Sequence, residues 1–248
     1  MSLAETIAIG DLQETALPKQ RLDYGDLPKK WRRYVAVGST VPGTPFLPFK
    51  TPLRPEFNRR LPEKEIFNVD TLLECVRMKN KRIGFVIDLT NTDRYYDSSL
   101  WGSNGIRYKK MPQENGGHAI HTETALFEDF KEAVDSFRKE TNDELLIGVH
   151  CTHGLNRTGY LICRYMIEAF GSNVVDAILE FESSRGHMIR RNEYIEALKE
   201  VGQEKLSFDE AEWQEKMSET SRKASLAATK KTSWLEGLPK SNVCSIEH

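Results

Sequence analysis

The chain has only four cysteines, Cys75, Cys151, Cys163 and Cys244, and neither paired nor metal-type spacing among them. A disulfide framework and a zinc site are therefore not expected, and a reducing compartment is. Long apolar runs are missing too. Nothing approaches the roughly 20 residues that span a bilayer, and Met1-Ser2-Leu3-Ala4-Glu5-Thr6 lacks the basic start and apolar core of a secretory leader. A soluble, intracellular protein is expected, in the nucleus, the cytoplasm or both, without membrane contact. Nor is there an excess of charge of either sign. With 35 Lys+Arg against 37 Asp+Glu the net charge is −2, so any attraction for nucleic acid must come from local patches. The sequence shows no repeats. Its 248 residues suffice for one large domain with tails, whose core needs no covalent staples.

Against these absences stands one dense stretch, His150-Cys151-Thr152-His153-Gly154-Leu155-Asn156-Arg157-Thr158-Gly159. An apolar run, Leu145-Leu146-Ile147-Gly148-Val149, precedes it. A helical pattern beginning near Thr158 follows, through Leu161, Ile162, Tyr165, Met166 and Ile167. Strand, loop and helix is the reading, which puts the loop at a helix N-terminus. That place suits an anion and lowers the pKa of a thiol, so Cys151 is the expected nucleophile. The backbone N–H groups of Thr152, His153, Gly154, Leu155, Asn156, Arg157 and Thr158 can curl into a nest for a phosphoryl group, with Gly154 permitting the curl. Arg157 can reach back and grip two phosphoryl oxygens with its planar fork, which a lysine would do less well. The Thr158 hydroxyl can donate to the sulfur and ease its departure. His150 and Asn156 are placed to brace the loop, while His153 could either brace it as a neutral ring or touch substrate.

Five restricted positions in His-Cys-x-x-Gly-x-x-Arg-[Ser/Thr] give a chance match of roughly one in tens of thousands at ordinary residue usage. On this signature the chain resembles the cysteine-dependent phosphatase superfamily, and more narrowly its RNA 5′-triphosphatase branch. That branch comprises the triphosphatase domains of metazoan mRNA capping enzymes and the RNA/RNP-complex-interacting phosphatases. Trp31-Arg32-Arg33-Tyr34, Pro42-Gly43-Thr44-Pro45-Phe46, Val86-Ile87-Asp88-Leu89-Thr90, Arg94-Tyr95-Tyr96 and Leu161-Ile162-Cys163-Arg164-Tyr165 extend the likeness over residues 30 to 200. Arg185-Gly186-His187 followed by Arg191-Asn192-Glu193-Tyr194-Ile195 resembles the RNP-associated group more than the capping enzymes. The resemblance implies an α/β fold, with a central, mostly parallel twisted sheet flanked by helices and the phosphate loop between strand and helix. It also implies RNA with 5′-triphosphate or 5′-diphosphate ends as partner, one or two phosphates being removed, and no cofactor or metal.

Along the chain, residues 1–26 are expected to be a flexible lead, 27–203 the phosphatase domain and 204–248 a mostly disordered tail. The tails could engage RNA-processing or RNP proteins, and a monomer is expected. Lys29, Lys30, Arg32 and Arg33 surround Trp31, which either packs inward or meets RNA. The proline-rich segment from Pro42 to Pro55 is expected to run extended over the surface without regular helix. Residues 66–80 read as a helix, Ile83 to Leu89 as a strand buried on both faces, Ile106 to Met111 as a short strand and 122–140 as a helix. Two further helices follow, one over Val174 to Phe181 and one over Tyr194 to Val201. Asp88 is expected to be structural, because a carboxylate beside an anion site would repel substrate. Arg94, in the loop after that strand, is a second phosphate candidate, the alternative being an ion pair with Asp93 or Asp97. Arg185, His187, Arg190 and Arg191 form the most concentrated positive stretch; Arg190 and Arg191 are candidates for RNA contact, the alternative being a solvated face.

In related phosphatases that act on phosphotyrosine or phosphoserine, a loop before the 122–140 helix supplies an aspartic acid that protonates the departing oxygen. Between Met111 and Thr122 this chain has no aspartate. A serine or tyrosine oxygen leaves poorly without a proton, whereas a diphosphate is already a weak base. The missing acid therefore favours a phosphoanhydride substrate. Glu114, His118 and His121 remain as weak acid candidates. A dual-specificity protein phosphatase and a non-catalytic reader of 5′-triphosphate RNA are the rival readings.

Overall fold

The computed structural model describes residues 25–113, 119–205, 214–216 and 218. Within them four parallel strands form one sheet: β1 (Phe46–Lys50), β2 (Ile83–Asp88), β3 (Arg107–Lys110) and β4 (Leu146–Cys151), in the order β1-β4-β2-β3. The two central strands β2 and β4 are near-continuous apolar runs because both faces are covered, as parallel sheets require.

One face carries α4 (Thr124–Thr141), α5 (Asn156–Phe170), α6 (Val174–Arg185) and α7 (Asn192–Lys205). These pack on Phe46, Phe85, Ile87, Ile147 and Val149. The opposite face carries α1 (Pro55–Asn58), α2 (Val69–Arg77) and α3 (Ser99–Ser103), together with the 3-10 turn Trp31–Arg33. They cover Leu47, Phe49 and Val86. Helix α2 starts late relative to its apolar pattern because Asn68 caps it. The Asn68 side chain accepts the Thr71 N–H at 2.8 Å, and the Thr71 hydroxyl accepts the Asn68 N–H at 2.9 Å. Helices α5 and α6 approach closely at Gly159, where a Cβ would stand 2.6 Å from the Phe181 ring.

The proline-rich segment departs from expectation. Its middle, Phe46-Leu47-Pro48-Phe49-Lys50, is β1, buried along its whole length, and Pro55 opens the short helix α1. Pro48 is tolerated because β1 is an edge strand: its missing N–H would face away from β4. The expectations for residues 1–24 and for most of 206–248 lie outside the described residues. Among the described residues no helix is long and apolar enough to cross a membrane.

Candidate active site

Strand β4 ends at Cys151 and α5 opens at Asn156, so Thr152 to Leu155 turn between a central strand and a helix start. Leu155, at the N-cap, makes no side-chain cap, which leaves the first N–H groups of α5 to whatever anion the loop holds. Gly154 sits at φ +66°, and a Cβ there would lie 2.2 Å from the Phe49 carbonyl oxygen. The loop thus lies directly on β1, an approach open only to glycine.

Cys151 is 4% exposed at the floor of this loop. Burial alone would push its thiol up. The Arg157 charge, the Thr158 hydroxyl and the backbone N–H groups of Thr158 and His153 outweigh that and hold it below the ordinary thiol value. Thr158 Oγ1 is buried without an oxygen or nitrogen partner, so the sulfur is the group it serves. Arg157 Nη1 donates to the Leu89 carbonyl at 2.7 Å and to Gln113 Oε1 at 2.9 Å, and Nη2 to Thr152 Oγ1 at 3.3 Å. Its guanidinium is thereby suspended between the ends of β2 and β3 and the loop itself.

The bracing residues divide by side. His150, fully buried, has its pKa lowered by burial, with Asp88 pulling the other way. The Tyr96 hydroxyl donates to Asp88 Oδ2 at 3.0 Å, so it accepts from His150 Nε2–H at 3.0 Å and from Trp101 Nε1–H at 3.2 Å. Asp88 also receives the Thr90 N–H at 2.7 Å, the Tyr108 hydroxyl at 2.9 Å and Lys110 Nζ at 3.3 Å. It is 1% exposed and fully occupied. On the other side His153 Nε2 donates to the Lys29 carbonyl at 2.7 Å and its ring stands 5.1 Å from that of Tyr34. Asn156 Oδ1 accepts the Arg190 N–H at 2.7 Å.

Arg185, which the sequence groups with the positive stretch around His187, is buried completely. It donates through Nε to the Gly154 carbonyl at 2.9 Å, and through Nη2 to those of His153 at 2.9 Å and Val35 at 2.7 Å. His187, its pKa lowered to about 4 chiefly by burial, accepts the Val35 N–H at 2.9 Å. Neither belongs to a solvated basic face. Lys50, opposite Cys151 in the β1–β4 register, is likewise buried, its Nζ 3.0 Å from the Tyr34 carbonyl and 3.3 Å above the Trp31 ring. Trp31 packs inward and donates to the Thr51 carbonyl at 3.0 Å.

Arg190 and Arg191 lie at the rim. Arg190 is exposed with its guanidinium 5.5 Å from the Tyr34 ring, and Arg191 pairs with Glu193 at 3.0 Å. Arg94 is exposed and lies over Tyr95 at 4.8 Å, while Asp93 pairs with Lys110 at 2.8 Å and Asp97 accepts from Ser99 at 2.7 Å. His121 stands 5.5 Å from Tyr194 with Nδ1 buried and unpartnered; Glu114 and His118 lie outside the described residues.

A cysteine held below the ordinary thiol pKa on the floor of an amide-lined loop, with a suspended arginine, is the constellation of a cysteine-dependent phosphatase. The family model for the dual specificity phosphatase catalytic domain matches residues 67–204. The chain is 46% identical over 189 residues to the RNA/RNP complex-1-interacting phosphatase homolog of Caenorhabditis elegans, covering 75% of this chain and 80% of that one. It is 44% identical over 173 residues to the human RNA/RNP complex-1-interacting phosphatase, covering 69% of this chain but 51% of that protein, so it spans about half the human relative's length. A tyrosine-protein phosphatase of Autographa californica nuclear polyhedrosis virus is 37% identical over 172 residues, 69% of this chain and 98% of the viral one. Among solved structures, a mutant form of Tk-PTP shares the fold with a TM-score of 0.50 at 15% identity, over 68% of this chain and 95% of that one. The chain belongs to the dual specificity phosphatase family and, within it, to the RNA/RNP-complex-interacting phosphatases.

Proposed function

We propose that this chain is an RNA 5′-polyphosphatase that converts 5′-triphosphate ends, and then 5′-diphosphate ends, toward the monophosphate. Cys151 Sγ attacks the terminal phosphorus; an S–P bond forms as the P–O bond to the next phosphoryl group breaks, and diphosphate-ended RNA leaves. Water then attacks the cysteinyl-phosphate, releasing phosphate and restoring the thiolate, with Thr158 donating to the departing sulfur. Arg157 and the amides of Thr152 to Thr158 bind the equatorial oxygens and supply the positive potential at the reacting centre. His150 holds the loop from behind. Arg190 and Arg191 at the rim, and Arg94 further out, contact the RNA backbone.

The observation that carries this reading is that no aspartate near the loop is free to serve the leaving group. Asp88 is buried under four donors, Asp93 is paired with Lys110 and Asp97 with Ser99. Residues 111 to 122 contain no aspartate. A leaving diphosphate needs little proton assistance. The names of the nematode and human relatives refer to an RNA/RNP complex, and by that likeness RNA or its protein complexes are the partners here.

The test incubates RNA labelled at the γ or β phosphate with the wild type and with Cys151→Ser in the presence of chelator. Release of both labels by the wild type alone is expected, with the variant slower by about five orders of magnitude. Equal release by both would remove Cys151 from the chemistry. The viral relative's name gives a second reading, hydrolysis of phosphotyrosine; efficient turnover of a phosphotyrosine peptide with no release from RNA would establish it instead.

A further inference from the structure

Two buried cations flank the phosphate loop, Arg185 from the end of α6 and Lys50 from the end of β1, at 0% and 5% exposure. Among the described residues neither forms an ion pair, and both rest on carbonyl oxygens: Arg185 on those of Val35, His153 and Gly154, Lys50 on those of Trp31 and Tyr34. Arg185 Nη1 is buried without a hydrogen-bond partner among the described residues. A buried positive charge without a carboxylate is costly, so what it does for the loop matters.

In a trans peptide the carbonyl and the following N–H point in opposite directions. Drawing the His153 and Gly154 carbonyls outward onto one guanidinium therefore turns the N–H groups of Gly154 and Leu155 toward the loop's interior. The N–H groups of His153 and Thr158 already address the Cys151 sulfur. We propose that Arg185 is a positioning residue for phosphoryl transfer: its planar fork holds the peptides after His153 and Gly154 with their N–H groups turned inward, and its buried charge is balanced by the anion the loop holds. This requires only the thiolate chemistry, whichever phosphate ester or anhydride is cleaved. A lysine could carry the charge but could not hold both carbonyls in one plane.

The groups that bear on Cys151 are Arg157 and Thr158 of α5, the His153 N–H of the loop, Arg185 of α6 and Tyr194 of α7, with Lys50 of β1 opposite it in the strand register. Arg185→Lys and Arg185→Met leave all but one of them in place. The experiment uses an aryl phosphate, tungstate and iodoacetamide, so it reads the loop independently of RNA. For Arg185→Lys we expect kcat on the aryl phosphate and tungstate affinity each to fall at least about tenfold, and the midpoint of Cys151 alkylation to move to higher pH. In the wild type, the amide resonances of Gly154 and Leu155 should shift when tungstate binds. A folded variant with unchanged tungstate affinity and an unchanged alkylation profile would reduce Arg185 to a structural role and overturn the proposal. If neither variant folds, the wild-type spectra decide: Gly154 and Leu155 resonances indifferent to tungstate overturn it equally.

Discussion

The two sides of the phosphate loop solve the problem of buried charge in opposite ways. Toward β2 and β3, Asp88 gathers Thr90, Tyr96, Tyr108 and Lys110 around one carboxylate, and His150 joins through the Tyr96 hydroxyl. Every donor there has an acceptor. Toward β1 and α6, Arg185 rests on carbonyl oxygens and Lys50 on carbonyl oxygens and the Trp31 ring, and Glu182, a buried acid on the same helix as Arg185, is raised to about 7 by burial. Lys50 is lowered to about 7, by burial first and the Arg185 charge second. One side is a closed account of donors and acceptors, and the other is an electrostatic surplus aimed at the loop. A protein built only for stability would place a carboxylate there; one built to hold a dianion leaves the place to its substrate.

The largest effect should come from breaking the closed side. Asp88→Asn should cost about 3 kcal/mol at neutral pH, since Lys110 and two tyrosine hydroxyls would then face an amide. Burial raises the Asp88 carboxyl, but the charges of His150 and Lys110 and the Thr90 hydrogen bonds outweigh it and leave it below the usual range. Its contribution is present above that range and lost as pH falls through the lowered value. Denaturant unfolding should therefore show the gap between the two proteins closing in acid; a gap independent of pH would mean that Asp88 acts by shape rather than charge.

An effect of the opposite sign tests the other side. Glu182, 5% exposed, accepts the Ile189 N–H at 2.8 Å through Oε1, while Oε2 has no partner. With its folded pKa raised to about 7, stability is fully present below the ordinary carboxyl value and lost as pH rises toward 7. Glu182→Gln keeps the acceptor and removes the ionisation. It should match the wild type near pH 4 and exceed it by up to about 3 kcal/mol above pH 7, measured by the same unfolding series. The smallest effect belongs to the solvent-facing pair Arg32–Glu65 at 2.5 Å. Arg32→Ala should leave the melting temperature unchanged within error, and a clear drop would show that the surface contributes to holding the Trp31 turn over Lys50.

What the sequence discloses follows from how local each contact is. The loop is contiguous from His150 to Thr158, so strand, turn, helix, thiolate and arginine can all be read from one stretch. The parallel sheet follows from apolar runs with helical patterns between them. Asp88 is legible as structural because a free carboxylate beside an anion site makes no chemical sense, yet its partners Tyr96 and Tyr108 come from different elements and leave no spacing to find. Arg185 reaches Gly154 across 31 positions, and in sequence it is one of several cations in a polar run. Lys50 is hidden by the prolines around it, which suggest surface where the chain makes an edge strand. Gln113, which anchors Arg157, stands beside the very segment whose missing aspartate draws attention. Its own signal is nil, because glutamine there looks like any loop residue.

The placing of β1 also bears on whether the sheet can be extended from outside. Its outer margin is already taken: Gly38 N–H donates to the Pro48 carbonyl at 2.9 Å, Lys50 N–H to the Ala36 carbonyl at 2.9 Å, and Val41 N–H to the Phe46 carbonyl at 3.0 Å. At the opposite margin, β3 carries Arg107, Lys109 and Lys110 within four residues. Neither border offers an uncharged row of vacant amides on which a second chain could register and propagate a cross-β assembly. The segment from Ala36 to Val41 thus closes the border along which Pro48 leaves no N–H to offer.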